Sequence, residues 1–205
     1  LLLIGCGDPL YRRQETPLDR QISFVSLRDT RLRAVLSSSG YTTIDQVDEL
    51  DLSSLSRVGP SPGEEELREA RIETLAGVEQ FLYLRRVDVS GNRLRSADQL
   101  SSALRLNYLD ISGNRVLDLR GLRHLPELEI VIARDNGIAD LQQFGALASL
   151  RVLDLSGNTR LRGDLAALAE LSALERVELR GCEAIDARGV RRFQEIRPEV
   201  EVVWP

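Results

Sequence analysis

Leu84–Asn92 reads LRRVDVSGN, and the same frame returns as LNYLDISGN at Leu106–Asn114, LEIVIARDN at Leu128–Asn136 and LRVLDLSGN at Leu150–Asn158, three successive intervals of 22 residues. LERVELRGC, Leu174–Cys182, follows after an interval of 24. Self-similarity at a fixed period marks a chain built from stacked, equal units. Alternation in V-D-V, L-D-I and L-D-L makes a short strand with one face inward and one outward, and neighbouring strands of this kind run parallel. Behind each strand the apolar positions continue about three apart. Leu94, Ala97, Leu100 and Ala103 correspond to Val116, Leu119, Leu122 and Leu125, then to Ile138, Leu141, Phe144 and Leu147, then to Leu161, Leu165, Leu168 and Leu171. Such a return segment is too short for a long helix and fits 3₁₀ or irregular turns. The two added residues of the last interval fall in a turn, near Thr159 and Gly163. No unit can bury its apolar face alone, so stability comes from stacking and both ends need caps.

Each unit matches L-x-x-L-x-L-x-x-N/C-x-L, and on that pattern the chain resembles the leucine-rich-repeat family in its 22-residue subclass. The resemblance implies an α/β horseshoe, a right-handed solenoid with a parallel concave sheet and short 3₁₀ or irregular convex segments. It also implies that Asn92, Asn114, Asn136 and Asn158 point inward and bond the backbone of adjacent turns. Cys182 takes the same slot, as a buried, inert thiol.

The array can be followed outward in both directions. Ile72, Leu75, Val78 and Phe81 form the return half of an earlier repeat, and VDELDLSSL supplies a strand through Leu50 and Leu52. Between them GPSPGEEELREAR, Gly59–Arg71, breaks the period; it is read as an insertion punctuated by Pro and Gly, with one or two helical turns at Glu64–Ala70. LRDTRLRAVLSSSGYTTIDQVDEL resembles the amphipathic helical cap of internalin-like bacterial proteins, with Asp29 as N-cap, and AGVEQFLYL resembles the linking segment of that group. GCEAIDARGVRRFQEIRPEVEVVWP resembles the cysteine-containing repeats of F-box-type leucine-rich proteins. It is expected to give a helix over Ala187–Glu195, a closing strand through Val200 and Val202, and Trp204 over the end of the core. The organisation is then a signal remnant and tether at 1–21, an N-terminal cap and first strand at 22–58, the insertion at 59–71, repeats at 72–183 and a C-terminal cap at 184–205.

Composition narrows the function. A length of 205 residues fits one domain, and 42% apolar content with only 4% aromatic suits a regular array of small, equal core slots. A formal charge of −5 argues against general affinity for nucleic-acid phosphate. Cys6 and Cys182 form neither a CxxC pair nor a cluster of zinc-ligand spacing, so neither a metal site nor a disulfide framework is expected. No apolar run approaches the roughly 18 residues of a membrane-spanning helix. His124, the only histidine, falls on a return segment, and the SGN triplets lack both G-x-G-x-x-G and the phosphate-loop pattern. No catalytic residue, cofactor or metal is therefore assigned.

The opening LLLIGCG resembles the end of a bacterial lipoprotein signal, with Leu3, Ile4 and Gly5 as lipobox and Cys6 as the lipidated residue. On that resemblance Gly7–Gln21 is a tether and a lipid on Cys6 holds the domain at a membrane surface.

The outward strand residues tile the concave sheet in columns. The first reads Glu49, Arg86, Tyr108, Ile130, Val152 and Arg176, the second Asp51, Asp88, Asp110, Ile132, Asp154 and Glu178, and the third Ser53, Ser90, Ser112, Arg134, Ser156 and Arg180. The acidic second column reads as a set that solvates the sheet. LEIVIARDN departs from it. Ile130 and Ile132, with Tyr108 and Val152, form an apolar patch rimmed by charge, the anatomy of a binding hot spot. The expected partner-binding set is Arg86, Asp88, Tyr108, Asp110, Ile130, Ile132, Arg134, Val152, Asp154 and Arg176. Function is read as a monomeric, non-catalytic protein-interaction module on a bacterial cell envelope. The alternative is an intracellular regulatory subunit of a phosphatase or GTPase pathway, since the same repeat subclass serves there.

Overall fold

The computed structural model describes residues 47–53 and 71–204. Seven three-residue strands, β1 (Glu49–Asp51), β2 (Arg86–Asp88), β3 (Tyr108–Asp110), β4 (Ile130–Ile132), β5 (Val152–Asp154), β6 (Arg176–Glu178) and β7 (Glu201–Val203), form one parallel sheet in chain order. Pairing advances without a slip: Asp51 faces Asp88, Asp88 faces Asp110, Asp110 faces Ile132, Ile132 faces Asp154, Asp154 faces Glu178 and Glu178 faces Val203. Behind the strands run 3₁₀ turns at Val78–Gln80, Asp98–Ser102, Arg120–Leu122, Gln142–Phe144 and Leu165–Leu168. The chain is thus the leucine-rich-repeat solenoid that its period implies. The longer unit is absorbed in its turn, where Gly163 adopts φ 117° and Asp140 and Arg162 form a parallel bridge.

Leu50, Val87, Leu109, Val131, Leu153 and Val177, the middle residue of each of the first six strands, point into one continuous core with the apolar residues of the turns. Burying a Val or Leu side chain stabilises by about 1.5–3 kcal/mol. Because each unit's apolar face is covered by its neighbours, that gain exists only in the stack.

The asparagines stitch successive turns together. Asn92 Nδ2 donates to the carbonyls of Leu52 and Val89, while its Oδ1 accepts from Ile72 N. Asn114 does the same with Val89, Ile111 and Leu94, Asn136 with Ile111, Arg134 and Val116, and Asn158 with Ala133, Leu155 and Ile138. Cys182 occupies the next slot with its Sγ 3.2 Å from Leu155 O, and burial raises the pKa of its thiol. Before each of these residues the backbone must turn left-handed. Gly91, Gly113, Gly157 and Gly181 supply φ values of 64–76°, and before Asn136, Asp135 takes the position at φ 49°. Asp is among the side chains that tolerate this region.

The C-terminal helix α1 spans Ala187–Ile196, one residue beyond its expected end, and the Asp186 side chain caps it by accepting from Arg188 N. The closing strand starts at Glu201, later than the expected Val200. Val200 N donates to Arg197 O in the turn before it, which leaves the Val200 side chain buried and the strand one residue on. Trp204 is half-buried and packs against the core. The expected N-terminal cap with Asp29, the insertion apart from Arg71, and Cys6 lie outside the described residues.

Candidate functional site

Strand pleating sends the first and second columns to the concave side, and unbroken register aligns them across neighbouring strands about 4.8 Å apart. Tyr108, Ile130 and Val152 are successive register partners, and Ile132 stands between Asp110 and Asp154. All four apolar or aromatic residues are half-buried, so they form a shallow floor rather than protruding knobs. The Arg86 guanidinium lies 3.5 Å from the centroid of the Tyr108 ring. Burial, with Asp110 beside it, raises the pKa of the Tyr108 hydroxyl.

The acidic column has a second role that the sequence reading missed. One oxygen each of Asp51, Asp88, Asp110 and Asp154 accepts the backbone N–H two residues on, from Ser53, Ser90, Ser112 and Ser156, at 2.9–3.0 Å. These aspartates close the turn that ends each strand, so their carboxylates are structural as well as solvating. The signal was available in the recurring D-x-S. Ile132 lacks such an acceptor.

On the C-terminal side of the apolar floor, charge is closed on itself. Arg134 Nε pairs with Asp154, and this contact keeps the Arg134 pKa raised. Asp154, expected to be a partner contact, is only 2% exposed and is not open to a second molecule. Arg176 and Arg180 both pair with Glu178 at 2.8 Å, and Arg176 also reaches Glu201. Arg176 is therefore engaged within its own chain. Along the strand entrances Arg151 bridges Glu129 and Glu175 at 3.3 and 2.9 Å. The sequence reading omitted this rim because it precedes the first outward column, although the opposite charges share one frame position. At the opposite ends of the strands the Asp135 carboxylate lies over Gly157, so close that a Cβ added there would stand 2.1 Å from Oδ1.

Among the described residues no three His, Cys, Asp or Glu side chains are grouped to hold a metal ion, and no helix is long and apolar enough to cross a membrane. His124 is exposed, with Arg123 Nε 3.1 Å from its Nε2.

No protein-family model and no curated protein matches the chain. Solved structures do. An internalin (inlF) of Listeria monocytogenes superposes with a TM-score of 0.67 at 19% identity, covering 86% of this chain and 50% of its own. Internalin C2 (inlC2) of the same species gives 0.51 at 19% identity, covering 78% and 97%. The likeness is one of fold: this chain has the repeat solenoid of the internalins and spans about half the length of the first of them.

Proposed function

We propose that the protein is a non-catalytic protein-interaction module that binds its partner on the concave face, over the floor formed by Tyr108, Ile130, Ile132 and Val152. The supporting observation is the break in the second column. Where its neighbours carry Asp110 and Asp154, β4 carries Ile132, and on the β5 side Asp154 is paired within the chain to Arg134. An apolar centre inside a polar rim that excludes water is where binding energy concentrates.

Ile132→Asp tests the reading. The new carboxylate takes a position that four other strands fill with Asp bonded two residues ahead, so the turn can accept it. Unfolding is expected to shift by no more than ~0.5 kcal/mol, the range of surface substitutions. A partner held by the wild-type protein from envelope extract should be lost, with affinity falling about 100-fold or more. Full retention by the variant would show that this floor is not the site.

We further propose that the module is displayed on a bacterial envelope by a lipid on Cys6, a reading supported by LLLIGC alone. Mass spectrometry of the product expressed in a bacterial host should find diacylglycerol on Cys6. An unmodified thiol there would end the envelope reading and leave the concave site untouched.

A further inference from the structure

The two halves of the concave face treat their carboxylates differently. On β4 to β7, Asp154 is covered by Arg134, Glu178 is held between Arg176 and Arg180, and Glu201 is paired to Arg176. Three carboxylates meet three guanidinium groups. On β1 to β3 the second outward column carries Asp51, Asp88 and Asp110, and Arg86 of the first column lies on the Tyr108 ring. None of Asp51, Asp88 and Asp110 is in an ion pair among the described residues. Each spends one oxygen on its turn and leaves the other to the concave surface.

Register stacks these three carboxylates one strand spacing apart, about 4.8 Å, where like charges repel. They do not converge as a metal-binding group. Their open oxygens are left for a cationic side chain of another polypeptide to meet. Asp110 is the register partner of Ile132, so the charged and apolar halves meet without a gap.

We propose that the partner docks through an extended segment laid across the strands, with a Lys or Arg over Asp88 and Asp110 and an aliphatic side chain over Ile130 and Ile132. From Asp88 to Ile132 is two strand spacings, about 10 Å, which an extended chain covers in roughly three residues. The matching segment has its cation two or three residues from an aliphatic residue. This inference rests on the concave-face reading above and adds the chemistry and polarity of the occupant.

A random-peptide library displayed on phage and panned against the full chain tests it. Enriched peptides should carry Lys or Arg two or three residues from Leu, Ile or Val. Their affinity should fall about tenfold or more in the Asp88→Asn, Asp110→Asn double variant, whose amide oxygens still accept the turn N–H groups. Raising ionic strength from ~0.05 to ~0.5 M should weaken binding as the screening length shrinks. Peptides lost with Ile132→Asp but indifferent to both the double variant and salt overturn the cation and leave the concave site standing. Peptides indifferent to Ile132→Asp overturn the site itself. Enrichment of acidic or uncharged peptides, or no enrichment, also overturns the proposal.

Discussion

Replacing Asn158 by alanine is expected to remove about 3 kcal/mol of stability, read as a fall in the midpoint of urea unfolding. The side chain is 0% exposed, and its amide acts at both ends. Nδ2 donates to Ala133 O at 2.9 Å and Leu155 O at 2.7 Å, while Oδ1 accepts from Ile138 N at 3.0 Å. Alanine leaves the three backbone groups unequally affected. Leu155 O still accepts from Asn158 N and lies near Cys182 Sγ, and Ala133 O keeps a long contact from Asn136. Ile138 N–H loses the acceptor that held it, next to a fully buried side chain, and an unmade buried hydrogen bond costs about 1–3 kcal/mol. The comparison that isolates burial is Asn136→Ala. Asn136 makes the same type of bonds but is only half-buried, so water can replace part of what is lost and about 1 kcal/mol is expected. Equal losses at the two positions would show that the ladder does not act through desolvated hydrogen bonds.

The strand frame was legible because the period repeats both the inward Leu or Val and the polar slot behind it. Parallel pairing then left little choice of register, and each column assembled as read. The asparagine contacts followed from the family pattern rather than from spacing, since the sequence does not say which carbonyl an inward amide will meet. Ion pairing was less readable. Arg134 has Asp110 and Asp154 on the strands to either side, and only side-chain geometry selects Asp154. That choice closes the C-terminal half of the face and leaves Asp110 open, which no column of letters reveals. The closing strand keeps the expected pleat, with Val202 paired to the core residue Val177 and Val200 buried, and only its start is one residue later, because Val200 N is taken by Arg197 O in the preceding turn.

Phe193→Ala is expected to cost about 3–5 kcal/mol and to loosen the C-terminal end ahead of the rest of the array. Phe193 is 0% exposed, and with Val190 it is one of only two buried residues of α1, the rest of whose sequence is dominated by arginine and other polar residues. Without the ring the helix keeps little apolar reason to dock. Its polar contacts cannot replace that. Arg192 and Asp164 form an exposed pair at 3.1 Å, a kind worth about 0–1 kcal/mol. Arg197 is stronger, donating to Ala169 O at 2.8 Å and Leu171 O at 2.9 Å, but it acts just beyond the helix end and depends on α1 to hold it there. In a solenoid each unit leans only on its neighbours, so opening should begin at the damaged end and spread inward. Hydrogen exchange is therefore expected to accelerate across β6, α1 and β7, with protection retained in β2 to β4. Uniform acceleration over the whole sheet would mean that the array unfolds as one cooperative block, and unchanged exchange at β6 would mean that α1 is not the seal of this end.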